Sequence, residues 1–203
     1  MELVKAITQT LSFGLIEATA NTPLANFLKA IVETCSKELK DPSTKVARPA
    51  GLVLSTCSSI GPASNKYLVE KTLPSLVMLF KSTESTNNRT AILEILNGFL
   101  DATATVYFSD GNSNPDKAAL WALKDDLFEI YSKGFLSSSS AEITYKLTAL
   151  DGFRKLLSMK GFLATNEIGI IVQYFDDVVL RLEVEEPWSR SSHVKANDVV
   201  VRY

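Results

Sequence analysis

Apolar residues recur along this chain at helical spacing, in blocks separated by short polar stretches. Leu24, Phe27, Leu28, Ile31, Val32, Cys35 and Leu39 fall on one face of a helix. Thr22-Pro23 opens that block with a hydroxyl cap and a proline at the first helical position. Asp41-Pro42 closes it, because the residue before a proline avoids the helical region. A partner helix is expected from about Thr44 to Ser59, kinked at Pro49 and ended by Gly61-Pro62. Leu68, Leu73, Leu76, Val77 and Phe80 then mark a helix over about Ala63 to Lys81, with a second kink expected at Pro74. Ile92, Leu93, Ile95, Leu96, Phe99 and Leu100 mark its partner, which starts at Asn87 or Asn88 and runs to about Val106.

The pattern continues past a polar loop at Phe108–Asp116. Leu120, Leu123, Leu127, Ile130 and Tyr131 define a helix ending at Gly134, and Ile143, Leu147, Leu150, Phe153 and Leu157 define its partner. Thr165 or Asn166 caps a further helix through Ile168, Ile171, Val172, Phe175, Val179 and Leu182. The first block, Met1 to about Glu17, reads as the second helix of a preceding pair. From Glu183 the periodicity fails, and residues 183–203 read as a poorly structured tail after the breaker Glu185-Glu186-Pro187. The expected organisation is a helical body over 1–182 followed by that tail.

The turn inside each pair returns in degraded form at Asp41–Arg48, Ser85–Arg89 and Ser138–Ile143. Aligning Val46, Asn88 and Ile143 gives intervals of about 42 and about 55 residues, against roughly 40–47 for HEAT and armadillo units. The loop at Phe108–Asp116 accounts for most of the excess. The predicted fold is therefore all-α, an α-α superhelix of HEAT/armadillo-type helical pairs with about three to four repeats. Such solenoids hold other proteins on extended surfaces. The turn charges Asp41, Lys45, Arg48 and Arg89 are candidates for an inter-repeat ladder.

Composition narrows the function classes. A net charge of −2 gives no whole-chain attraction for nucleic acid or anionic membrane. Two cysteines, Cys35 and Cys57, are too few for a disulfide framework or a four-thiolate metal site and read as core residues in a reducing compartment. The N-terminus lacks the basic and apolar regions of a signal peptide, and the longest uncharged run, Pro49 to Asn65, is too polar to span a membrane. An intracellular protein is expected.

The inventory for catalysis is thin. The single histidine, His193, lies in the tail, so the body lacks a Ser-His or Cys-His pair and a histidine metal ligand. Asp125-Asp126 and Asp176-Asp177 are adjacent on helices and diverge by about 100°, which prevents paired acid–base action. No Gly-rich phosphate loop is present. No catalytic residue, metal, cofactor or small-molecule substrate is expected. Lys146, Arg154, Lys155 and Lys160 form a possible basic contact patch for an acidic partner, although direct nucleic-acid binding is not expected. Trp121 reads as half-buried at a helix start, whereas Trp188 follows the breaker.

One stretch carries a family likeness. It runs through Lys40-Asp41-Pro42, Arg48-Pro49-Ala50-Gly51-Leu52-Val53-Leu54 and Leu73-Pro74-Ser75-Leu76-Val77 to Asn87-Asn88-Arg89-Thr90-Ala91-Ile92-Leu93-Glu94-Ile95-Leu96-Asn97-Gly98-Phe99-Leu100. It resembles the central helical repeats of the MMS-nineteen family of nucleotide-excision-repair and transcription factors, which also serve as cytosolic iron–sulfur adaptors. The resemblance implies a non-enzymatic scaffold, cytoplasmic and nuclear, that holds an iron–sulfur assembly WD40 protein and its small partner. It also implies recruitment of client helicases and polymerases for cluster insertion. The family's best-known docking region, its C-terminal repeats, has no counterpart here. An unrelated HEAT-type interaction module is the alternative reading.

If the apolar stripe holds the array together, Leu96→Ala costs about 2–5 kcal/mol in urea unfolding. Asp41→Ala, which removes only an exposed turn charge, costs far less.

Overall fold

The computed structural model describes residues 23–108, 118–137 and 142–182, with the side chains of 178–182 excepted. The helix expected before Glu17, the loop at Ser109–Asp116, the turn residues Ser138–Ala141 and the tail from Glu183, with Trp188 and His193, lie outside those residues. Every regular element among the described residues is helical: α1 (Pro23–Glu38), α2 (Ala47–Ser58), α3 (Pro62–Ser82), α4 (Thr86–Tyr107), a 3-10 turn (Ala119–Leu123), α5 (Lys124–Phe135), α6 (Ile143–Ser158) and α7 (Thr165–Leu182).

Local chemistry sets the ends of these helices. Proline opens α1 and α3, where the missing N–H would have had no intrahelical acceptor. Pro49 behaves in the same way and does not kink α2. The chain from Asp41 first makes a tight turn, with Thr44 N donating to Asp41 O at 3.2 Å and Ala47 N to Thr44 O at 3.3 Å. The helix then starts at Ala47, later than the expected Thr44. Its first four-residue bond is Ala50 N to Val46 O at 3.0 Å, so Pro49 sits in the first turn, where it removes nothing. Pro74 lies inside α3 on its exposed side, and the helix continues through it. Ser85 caps α4, its hydroxyl accepting from Asn88 N at 3.4 Å. After α6 the chain reverses through Gly161, whose φ of 79° a side chain would disfavour.

The helices stack as pairs, α1 with α2, α3 with α4 and α5 with α6. The second helices α2, α4 and α6 pack side by side as one row, and α1, α3 and α5 as another, so the body is a two-row helical-repeat superhelix. Each helix turns its apolar stripe towards the space between the rows. Leu54, Leu68, Leu73, Ile92, Leu96, Phe99, Leu127 and Phe153 are fully enclosed there. α7 continues the first row: Phe175 meets Phe135 edge-on with ring centroids 5.0 Å apart, and Phe162, in the turn before it, meets Trp121 edge-on at 5.5 Å.

Two buried asparagines fix the register between pairs. Asn65, in the first turn of α3, donates to Ser58 Oγ of α2 at 3.0 Å and to Thr103 Oγ1 of α4 at 3.2 Å. Asn97 of α4 donates to Thr148 O of α6 at 3.0 Å and to Asp151 Oδ2 at 3.3 Å, while accepting the Tyr131 hydroxyl of α5 at 2.7 Å. Asn97 is bonded on both its amide nitrogen and its oxygen and Asn65 on its nitrogen, and buried bonds that tie neighbouring helices together tolerate little sliding between them. Tyr131 is wholly buried, and desolvation, reinforced by Asp151 and Asp101, pushes its phenol well above the ordinary range.

Glycine makes room for this arrangement. A Cβ on Gly152 would overlap the Tyr131 ring, and one on Gly98 would lie 2.9 Å from Ser55 Oγ. Gly152→Ala should therefore destabilise by about 1–3 kcal/mol, reversing the gain of roughly 0.5–1 kcal/mol usual for alanine in a helix. Gly169→Ala in α7, where a Cβ meets nothing within 4 Å, should keep the ordinary stabilising sign. Urea unfolding of the two variants checks the contrast.

Candidate interaction surface

The exposed side of the second row carries charges that pair across helices. Arg48 Nε of α2 reaches Glu94 of α4 at 2.5 Å. Asp101 of α4 pairs with Lys155 of α6, which also lies 3.5 Å from Asp151. Arg154 holds Asp151 through Nε at 3.0 Å and a terminal nitrogen at 2.8 Å. The first row has its own set: Lys81 of α3 bonds Asp126 at 2.7 Å and Glu129 at 3.0 Å on α5, and Lys124 of α5 bonds Glu167 of α7 at 2.7 Å. The exposed pairs among these, Arg48–Glu94 and Lys81 with Asp126 and Glu129, stabilise little and mainly orient neighbouring helices, whereas Lys155 and the Lys124–Glu167 pair are largely shielded from water. Between the paired charges the second row exposes Leu52, one turn from Arg48 on α2.

The residues singled out in the sequence fall in different settings. Asp41 folds onto its own turn, accepting from Ser43 N at 3.1 Å and Ser43 Oγ at 2.5 Å, bonds that hold its carboxyl below the usual range. Lys45 is exposed and makes no ion pair among the described residues. Arg48 crosses to Glu94, whereas Arg89 donates to Thr83 O at 2.9 Å and lies over the Phe80 ring at 5.6 Å within its own pair, while its charge also reaches Glu142 of the next. Lys155 is buried between two aspartates, with Arg154 beside it on Asp151. Lys146 sits at the opposite end of α6, roughly 13 Å from Lys155 along the axis, and Lys160 is exposed in the turn after that helix. Charge-pattern reasoning passed over the acidic partners Glu94, Asp101, Asp151 and Glu142. The signal of Glu94, Asp101 and Glu142 is faint, since each lies about one repeat from the Arg48, Lys155 or Thr86 it meets, whereas Asp151 pairs at i,i+3 and i,i+4 with Arg154 and Lys155 on its own helix.

Three grooves run along this body. One, of about 470 Å³, lies between α4 and α6 and is walled by Glu94, Asp101, Leu147 and Asp151. Another, of about 610 Å³, lies between α5 and α7, where Phe128, Leu136 and Tyr174 meet Asp125, Glu129 and Glu167. The third, of about 530 Å³, sits on the turn edge at the heads of α2 and α4. Thr44, Lys45, Arg48, Ser85, Asn87 and Asn88 line it over a floor of Pro42 and Ala91, and no Asp or Glu is among its walls.

At the next junction along the same edge, Glu142 takes the place at the head of α6. Its carboxylate accepts from Thr86 Oγ1 at 2.6 Å and from the Ser137 hydroxyl. Those two bonds, Ser137 first, hold the Glu142 carboxyl below its ordinary range, and Lys146 and Arg89 add attraction. Elsewhere the chemistry is that of a packed scaffold. Cys57 is buried, and Cys35 is half-buried with its thiol pushed up by desolvation and then by Glu38. Among the described residues no three of His, Cys, Asp and Glu group to hold a metal ion, and no helix is long and apolar enough to cross a membrane.

No protein-family profile matches the chain. Curated relatives do. The MMS19 nucleotide excision repair protein homolog of Mus musculus is 25% identical over 191 residues, covering 94% of this chain and 18% of the mouse protein. The Bos taurus homolog is 23% identical over 193 residues, covering 95% of the chain and 18% of that protein. The DNA repair/transcription protein MMS19 of Saccharomyces cerevisiae is 39% identical over 57 residues, 28% of the chain and 6% of the yeast protein. The chain thus spans under a fifth of the length of the mouse and cow relatives it matches. The mouse and cow alignments run through nearly every helix of the two rows, so the chain is similar to MMS19 proteins over almost all of its length.

Proposed function

We propose that this chain is a helical-repeat segment of an MMS19-like adaptor that holds other proteins in DNA repair and transcription and performs no chemistry itself. The observation that carries the reading is the alignment of nearly the whole chain with proteins named for nucleotide excision repair, joined over 57 residues by a yeast protein named for DNA repair and transcription. The two-row body supports it, because stacked pairs expose a long row of helices suited to protein contact. In the finer form of the proposal, the adaptor recruits helicases, polymerases and related apoproteins for iron–sulfur cluster insertion. It does so alongside a WD40 assembly protein and its small partner, in cytoplasm and nucleus. The cluster is cargo of the clients. The body responsible is residues 1–182, with 183–203 as an appended tail.

Affinity purification of the tagged chain from cells, with an unrelated helical-repeat protein as control, tests both levels. The expected result is enrichment of iron–sulfur assembly factors and cluster-dependent repair or transcription enzymes. Enrichment no greater than the control argues against the adaptor role. Leu52→Glu, which places a charge on the exposed second row without touching the core, should cut the captured material about tenfold at unchanged melting temperature. Equal capture by that variant removes the second row from the binding surface.

A further inference from the structure

We infer that the turn-edge groove between the heads of α2 and α4 is a docking site for a carboxylate-rich segment of a partner protein. The inference rests on the adaptor reading for its biological setting and on the groove itself for its chemistry.

The walls select for negative charge. Lys45 makes no ion pair among the described residues, and Arg48 spends one face of its guanidinium on Glu94 at 2.5 Å. Ser85 Oγ accepts from Asn88 N and keeps its proton to donate. The Asn87 and Asn88 side-chain amides add neutral donors. The nearest carboxylates are already bonded to wall residues: Asp41 accepts from Ser43, and Glu94 pairs with Arg48. A concave site with Lys45 unpaired among the described residues, Arg48 shared with Glu94, several neutral donors and no acid lining it attracts an anion.

The molecule supplies its own precedent one repeat further on. There the head of α4 receives a carboxylate from within the chain, Glu142, fixed by Thr86 and Ser137 with Lys146 and Arg89 near by. The position matching Glu142 in the preceding pair is Ser85 when helix starts are aligned and Asn87 when the repeat interval is used. Both are neutral, and both line the groove. The two junctions share an architecture of hydroxyls and cations at helix heads. One is neutralised in cis. The other, by the same chemistry, takes its carboxylate from a partner.

The test is fluorescence anisotropy of a labelled Glu/Asp-rich peptide titrated with the whole chain at about 0.15 M salt. A glutamine-substituted peptide and an oligonucleotide of equal charge serve as probes of source. The acidic peptide should bind, and the glutamine peptide should not. Asn87→Glu, which installs the carboxylate that Glu142 provides next door, should weaken binding by about tenfold or more. An acid in the first turn of a helix suits its dipole, so this variant should melt no lower than the parent. Lys45→Glu should weaken binding similarly, and Asn87→Gln should bind as the parent does. Absence of peptide binding by the parent overturns the assignment, as does binding that ignores both charge variants or an oligonucleotide that binds as well. Capture from cells that succeeds equally with Asn87→Glu removes the groove and leaves the adaptor reading standing. Peptide binding without specific capture does the reverse.

Discussion

The close, interlocked approach of α4 and its neighbours is the constraint on which the rest of the structure depends. Gly98 of α4 lies against Ser55 of α2, and Asn97, one residue earlier, is bonded by groups from α5 and α6. Dispersion and burial supply most of the cohesion, but they are indifferent to small slides of one helix along another. The short contacts at small residues and the hydrogen bonds of the buried Asn65 and Asn97 amides are not indifferent. They select one register, and with it the spacing of the exposed charges on the second row.

That register explains why the surface is patterned. Arg48 meets Glu94, and Lys155 meets Asp101, because the helices carrying them are held at a fixed distance and rotation. A solenoid built this way presents its partners with a row of fixed side chains, which lowers the ordering cost of binding. The turn edge follows the same logic. Its donors come from the heads of helices whose positions the core has already set, so a carboxylate arriving there needs little rearrangement of the protein.

Likeness to the mouse and cow nucleotide excision repair protein homologs extends over nearly the whole stack rather than concentrating in one site. Those two proteins align with almost the entire chain, yet are more than five times longer. A stack in which each pair touches only its neighbours can vary in extent without losing local form. This is why a short stretch of such an array folds by the same rules as a long one, and why its contribution to binding is local to the faces it presents.

Helix faces, pairing and the all-α class were legible in the amino-acid order, because apolar spacing, Asp41-Pro42 and Gly61-Pro62 act over a few residues. Leu96, Phe99 and Phe153, read as core from spacing, are fully enclosed. The candidate charges were legible only as residue types. That Lys155 is buried between Asp101 and Asp151, that Pro49 falls in a first turn, and that Gly152 shelters the Tyr131 ring were decided by the fold. Periodicity records which side of a helix faces inward. Which residue of the next helix lies opposite depends on the distance and rotation between elements a repeat apart, and those are set only when the rows pack.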